Sequence, residues 1–239
     1  DRGEFSVPSS MRLGHVRQQL HSHRTDGSLL EYAENALPEI HRIEQGLSDL
    51  EHRLADPGEK DTERLLHRMG ELQTEYEHLG GYELRSRAEA TLCGLGFSPD
   101  RLEDPFRSFS GGWQIRAELA RILVSQPDIL LLDEPTNYLD VPAVEWLQDF
   151  LRAFAGTLVL VSHDRYLLNS LSSVTLEISG GQATRYPGNY SEYLERREAR
   201  QYQLAAARAN YDRKKDKLER FVDRFRAKAT KASQAQSRL

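Results

Sequence analysis

The spacing of apolar positions divides the chain into four stretches. In residues 1–20, Phe5 and Val7 alternate, and Leu13 and Val16 flank Gly14, which predicts the end of a β-rich segment. Over residues 28–80 the period turns helical. Ala36, Ile40, Ile43, Leu47, Leu50 and Leu54 follow one another at intervals of four and three residues. Asp56-Pro57-Gly58 interrupts the stripe, and Leu65, Met69, Leu72, Tyr76 and Leu79 resume it. Two such stripes joined by a tight turn predict an antiparallel helical hairpin, with Pro38 starting or kinking its first helix. Gly80-Gly81 closes the hairpin, and a further helix is expected from Tyr82 to Leu95.

Residues 106–190 have an α/β pattern. The run from Asp128 to Asp133 is continuously apolar between its carboxylates, which predicts a buried strand. A helix follows from about Pro142 to Phe154, then a second buried strand, Thr157 to Val161. Strands alternating with helices predict a parallel sheet. Gly180-Gly181 predicts a turn between two short strands near the sheet edge. Beyond Pro187-Gly188 there is no Gly or Pro, and Leu204, Tyr211, Leu218 and Phe225 recur every seven residues. Residues 190–239 are therefore one long helix, or two.

With 38% hydrophobic and 29% charged residues among 239, the chain is neither collagen-like nor wholly disordered. No apolar run approaches the roughly 20 residues that span a bilayer, and no signal-peptide pattern is present. The single cysteine, Cys93 in TLCGLGF, rules out an internal disulfide, fits a reducing compartment, and is expected to be a small buried residue. The net charge of −5 is uneven. Residues 196–239 carry 14 Lys and Arg against 5 Asp and Glu, and the remainder carries 18 against 32. A basic end on an acidic body suits a polyanion partner, and equally a solvated helix face.

Three motifs carry chemistry. In Leu130–Asp140, LLLDEPTNYLD, an apolar strand ends in Asp133-Glu134, the Walker B arrangement. Such a strand delivers Asp133 to its carboxyl edge, where it can hold Mg²⁺, and Glu134 can orient or deprotonate a water. In Phe109-Ser110-Gly111-Gly112-Trp113, small residues precede the amphipathic segment QIRAELARILV. Backbone N–H groups there can approach a phosphate at a helix N-terminus. In Ser162-His163-Asp164-Arg165, an imidazole at the end of the next strand can contact a terminal phosphate.

In this order the motifs resemble an ATP-binding cassette (ABC) ATPase. LDEPTNYLD, the FSGGW-type signature, the helical hairpin and the terminal FVDRFRAKATKASQAQSR resemble the ABC-F class, soluble tandem-cassette ATPases that act on the ribosome. The resemblance implies an α/β fold: an ABC-type nucleotide-binding domain, incomplete for want of its P-loop segment, with an inserted helical hairpin and a long C-terminal linker helix. It implies a partial β-rich segment with the Q-loop over residues 1–22, and a helical arm and subdomain over 23–105. The cassette core would cover 106–189 and a basic inter-cassette linker 190–239. The cofactors implied are ATP and Mg²⁺.

By the same resemblance, Gln18 in GHVRQQ is the Q-loop contact to Mg²⁺ and water, with Gln19 as the neighbouring alternative. Ser110, Gly111, Gly112 and Trp113 form the signature that grips the γ-phosphate of an ATP held by the opposite cassette. Asp133 serves the metal, Glu134 the hydrolytic water, Asp140 the interface between cassettes, and His163 the γ-phosphate. Arg224, Arg226, Lys228, Lys231 and Arg238, interleaved with Phe221 and Phe225, are the expected RNA contacts. The partners implied are a second cassette of the same parent chain and the ribosome, through rRNA and tRNA, with no membrane; the expected location is cytoplasmic.

Two features depart from the pattern. Tyr138 stands where the class usually carries His. The sequence also contains no GxxxxGK[ST], and no Gly-Lys pair at all. The expectation is an internal fragment, most of a first cassette plus its linker, inactive alone; the alternative is a cassette naturally without a P-loop. Rival readings are the ATPase subunit of a membrane transporter, a chromosome-organising or DNA-repair ATPase, and a non-catalytic cassette scaffold.

Overall fold

The structure, a computed structural model, describes residues 6–8, 11–16, 27–55 and 61–236, with side chains up to residue 220. The chain forms two compact units, divided between Leu171 and Ser172.

The first unit is built on a parallel sheet of three strands in the order β1-β2-β3: β1 (Leu13–His15), β2 (Ile129–Asp133) and β3 (Thr157–Val161). The register Gly14↔Leu130↔Leu158 puts alternate residues on one face. On that face Leu130 and Leu132 are buried, and Leu158 and Leu160 pack against the core. The opposite face is open: Val159 is 47% and Val161 56% exposed. This corrects the expectation that Thr157–Val161 is buried. An uninterrupted apolar run suits burial on both faces, but among the described residues β3 is an edge strand covered on one side only.

Helices cover the buried face: α1 (Leu29–Glu34), α4 (Gly81–Gly94), α5 (Gly111–Val124) and α6 (Val141–Ala153), with a short α7 (Arg165–Leu171) after β3. Their inward residues Leu29, Leu30, Leu92, Leu123 and Leu147 are almost wholly buried with Leu130. Each such side chain contributes about 1.5–3 kcal/mol of hydrophobic stabilisation. Tyr32 of α1 stacks on Phe106 with ring centroids 4.0 Å apart, and its hydroxyl donates to Glu118 of α5. Cys93 is only partly buried; it packs against this core, and burial pushes its thiol pKa up.

The hairpin consists of α2 (Pro38–Leu54) and α3 (Thr62–His78). Its own small core is Ile43, Leu50, Leu65 and Leu72. Tyr76 donates to Glu44 at 3.0 Å, and a Cβ on Gly46 would lie 3.1 Å from Leu72, so the two helices run antiparallel. Asp56-Pro57-Gly58 lies outside the described residues. Pro38 starts α2 and does not kink it, being compatible with the first helical turn. Ala36 is not part of α2. Ser28 and Glu31 form a reciprocal cap that starts a separate helix, α1, and the chain turns at residues 35–37 before α2 begins.

The second unit is a ribbon and a helix. β4 (Val174–Ser179) and β5 (Gln182–Pro187) pair antiparallel as a two-stranded sheet of their own. Gly180 and Gly181 both take positive φ, 58° and 75°, which a two-residue hairpin turn requires. α8 runs unbroken from Tyr190 to Gln236. Glu177 of β4 accepts from Tyr186 and Tyr193, each at 3.2 Å, and from Arg197 Nε at 2.7 Å, which fastens the start of α8 to the ribbon.

Candidate functional site

The parallel sheet sets two acidic residues and an imidazole at the carboxyl ends of adjacent strands. β2 ends in Asp133, which is exposed, and Asp133 pairs in register with Val161 at the end of β3. Glu134 then takes a left-handed conformation, φ 49°, uncommon for a residue with a side chain. Its N–H donates to the Val161 carbonyl at 2.8 Å, so the strand neighbour holds the strained turn in place. The turn directs the Glu134 carboxylate toward the residues after β3. Its Oε2 accepts the His163 backbone N–H at 3.3 Å, and its Oε1 lies 3.5 Å from His163 Nε2. Glu134 is 12% exposed and the His163 ring 98%, so the carboxylate is shielded while the imidazole stands in solvent. Asp164 holds the following turn by accepting the N–H groups of Tyr166 at 2.9 Å and Leu167 at 3.1 Å.

A second cluster lies at the start of α5. Ser110 is the residue before the first turn, in extended conformation, and its hydroxyl makes no capping bond. A Cβ on Gly111 would meet nothing within 4 Å, so the first residue of this turn borders open space on its side-chain face. A Cβ on Gly112 would lie 3.4 Å from the Tyr138 ring. Trp113 stacks under the Arg116 guanidinium, 4.2 Å from ring centroid to Cζ. Arg116, 8% exposed, donates to the Tyr138 carbonyl at 3.1 Å, the Leu95 carbonyl at 3.0 Å and the Asp140 carboxylate at 3.0 Å. Asp140 precedes α6 and makes no side-chain cap. A cleft of about 250 Å³ lies between α5 and the β2–α6 turn, lined by Ile115, Arg116, Asp133, Glu134, Asn137 and Tyr138 among others.

The structure thus joins Asp133, Glu134 and His163 in one group, and Ser110, Gly111, Gly112, Trp113 and Asp140 in another. Gln18 and Arg238 lie outside the described residues; Arg224, Arg226, Lys228 and Lys231 lie on α8, their side chains outside them. Sequence reading passed over Arg116 and the Tyr138–Gly112 contact. These contacts join residues 21 to 26 positions apart in the chain, and no local pattern marks them.

A family model described as ABC transporter matches residues 10–137, and a second model with that description matches residues 176–239. The chain is 38% identical over 242 residues to the "Probable ATP-binding protein YheS" of Escherichia coli strain K12, covering 100% of this chain and 36% of that protein. It is 34% identical over 235 residues to the "ATP-binding cassette sub-family F member 3" of Rattus norvegicus, covering 98% of this chain and 32% of that protein. The chain spans about a third of the length of these curated relatives. With a family model over more than half of its length and a sub-family F protein aligned along nearly all of it, the chain belongs to the ABC ATPases of the ABC-F group.

Proposed function

We propose that this chain is most of one nucleotide-binding cassette, lacking the P-loop segment, with its linker helix, of a cytoplasmic ABC-F protein that binds and hydrolyses ATP with Mg²⁺ and acts on the ribosome. The observation that carries the ATPase reading is the Glu134–His163 pair beside Asp133, at the ends of two adjacent parallel strands. The residues suit the cofactor. The Asp133 carboxylate has no hydrogen-bond or ion-pair partner among the described residues, and Mg²⁺ commonly takes one or two carboxylates plus phosphate oxygens. The N-terminal turn of α5 is likewise uncapped by a side chain and open at Gly111, as a phosphate requires.

In this reading Asp133, with Gln18, holds the metal. Glu134 orients the attacking water and accepts its proton, and its strained, shielded placement fixes the direction of that oxygen. His163, exposed beside it, contacts the terminal phosphate. Bound Mg·ATP supplies the phosphoryl group and the charge that neutralises its oxygens. Ser110, Gly111, Gly112 and Trp113 present their N–H groups to the nucleotide of a second cassette of the same parent chain, with Asp140 at the interface. The α2–α3 hairpin is the arm. α8 is the linker, and its basic end meets rRNA or tRNA phosphates. Residue by residue, the P-loop that would cradle this cassette's own nucleotide has no counterpart in the 239 residues, so these residues alone bind ATP weakly and turn none over.

The test is ATP hydrolysis by the full-length protein with ribosomes, DNA or lipid vesicles added in turn. Stimulation by ribosomes alone supports the reading. Stimulation by vesicles or DNA, or turnover by the 239-residue chain, would overturn the corresponding part of it.

A further inference from the structure

We propose that Arg116 is a positioning residue that splints the Ser110–Trp113 turn to the Tyr138–Asp140 loop, so that both reach an opposing nucleotide as one rigid piece. The inference rests on the ATPase reading above and adds a residue that none of its motifs names.

Arg116 sits on α5, one turn past the signature residues, with its guanidinium buried. Three separate segments converge on it. Trp113 of its own helix stacks on the plane. The turn after α4 supplies the Leu95 carbonyl. The loop between β2 and α6 supplies the Tyr138 carbonyl, which both Nε and Nη2 approach, and the Asp140 carboxylate. A planar fork with several fixed donors can hold such acceptors in one geometry, which a flexible ammonium cannot.

Two neighbouring residues are shaped around the guanidinium. Asp140 stands where an aspartate ordinarily caps the helix that follows, yet its carboxylate makes no such bond. It turns to Arg116 instead, so the local helix cap is given up for a tertiary contact. Gly96 has φ +91°, and a Cβ there would lie 2.8 Å from Arg116 Nη1. Only glycine takes this backbone conformation readily and leaves the charge its space. The Tyr138 ring adds a second contact to the same joint, lying against Gly112. Arg116 is buried but the Asp140 carboxylate is 59% exposed, so water screens the pair and it adds little net stability; what it contributes is geometry. The arrangement therefore sets the distance between signature and interface loop.

A double-mutant cycle in the full-length ATPase tests this, with Arg116→Met, Asp140→Asn, the pair together, and Arg116→Lys. Turnover is measured at saturating ATP and thermal midpoints are measured alongside. Each single change is expected to lower kcat about tenfold, and the double no further, because both remove one joint. Arg116→Lys is expected to recover part of the loss, since one donor still reaches Asp140. If Arg116→Met does not fold, the cycle is run with Arg116→Lys. A double variant that loses the product of the two single effects, or losses that track the thermal midpoint and not the presence of Asp140, would overturn the splint. An inactive wild-type enzyme would instead overturn the ATPase reading.

Discussion

Glu134 grips His163 from both sides of the residue: one carboxylate oxygen accepts its backbone N–H at 3.3 Å, and the other lies 3.5 Å from its Nε2. The two residues stand 29 positions apart and meet because β2 and β3 are register neighbours. The carboxylate is thus held by backbone and kept partly out of water before any ligand arrives. Replacing Glu134 with Gln preserves the shape and the backbone hydrogen bond but removes the proton acceptor. With the equivalent residue of the second cassette also replaced, ATP turnover by the full-length protein is expected to fall by about 10²–10⁴. ATP binding, followed by filter retention of labelled nucleotide, should persist. Unchanged turnover would remove Glu134 from the role given to it.

Gly96 offers a stability prediction independent of nucleotide. Alanine there would have to adopt φ +91° and crowd the Arg116 guanidinium. Gly96→Ala is expected to destabilise the fold by about 1–3 kcal/mol, read from the denaturant midpoint of the full-length protein. Gly111→Ala meets open space and should change the midpoint far less.

The hairpin should be sensitive to alkali. Burial first, and the Glu44 hydrogen bond second, push the Tyr76 hydroxyl up to about 12 from its ordinary 10.0. Folding thus favours the protonated phenol. The contribution is complete below the unfolded value and is lost as pH rises from there through the folded one. Melting of the hairpin, followed between pH 9 and 12 by tyrosinate absorbance and circular dichroism, should therefore show a loss that Tyr76→Phe largely abolishes. An identical pH profile in the variant would show that Tyr76 is not the group responsible.

Much of this architecture is legible in the sequence because it is periodic. β2, β3, α6 and the unbroken α8 follow from apolar runs, helical spacing and the absence of Gly and Pro. The placement of Asp133, Glu134 and His163 is legible too, since they stand where strands stop. The missed features depend on distant partners. Nothing local distinguishes a strand covered on both faces from β3, whose Val159 and Val161 face outward. The Ser28–Glu31 cap divides a stretch whose apolar spacing runs straight through Ala36. Arg116 is one of two arginines on α5 until Leu95, Tyr138 and Asp140 fold against it.

Salt should decide how the basic end of the chain is used. Residues 196–239 carry 14 basic against 5 acidic side chains. If several of these meet phosphates, ribosome affinity of the full-length protein should fall by at least tenfold between about 50 and 200 mM monovalent salt. Sedimentation at a series of salt concentrations measures the slope. A flat response would mean that α8 engages its partner without phosphate contacts.

The clasp that Glu177 makes with Tyr193 and Arg197 has a mechanical consequence. α8 contains 47 residues, a helical path of about 70 Å at 1.5 Å per residue. A helix held at one end against a small ribbon is a lever with a very short inner arm. A tilt of only about 10° at the clasp would carry the far tip through roughly 12 Å on that rise. Small angular changes at the ribbon are thereby enlarged into displacements on the scale of a nucleotide, and the contacts of Glu177, of Arg196 with the Pro187 carbonyl and of Arg200 with Tyr186 set how faithfully they arrive.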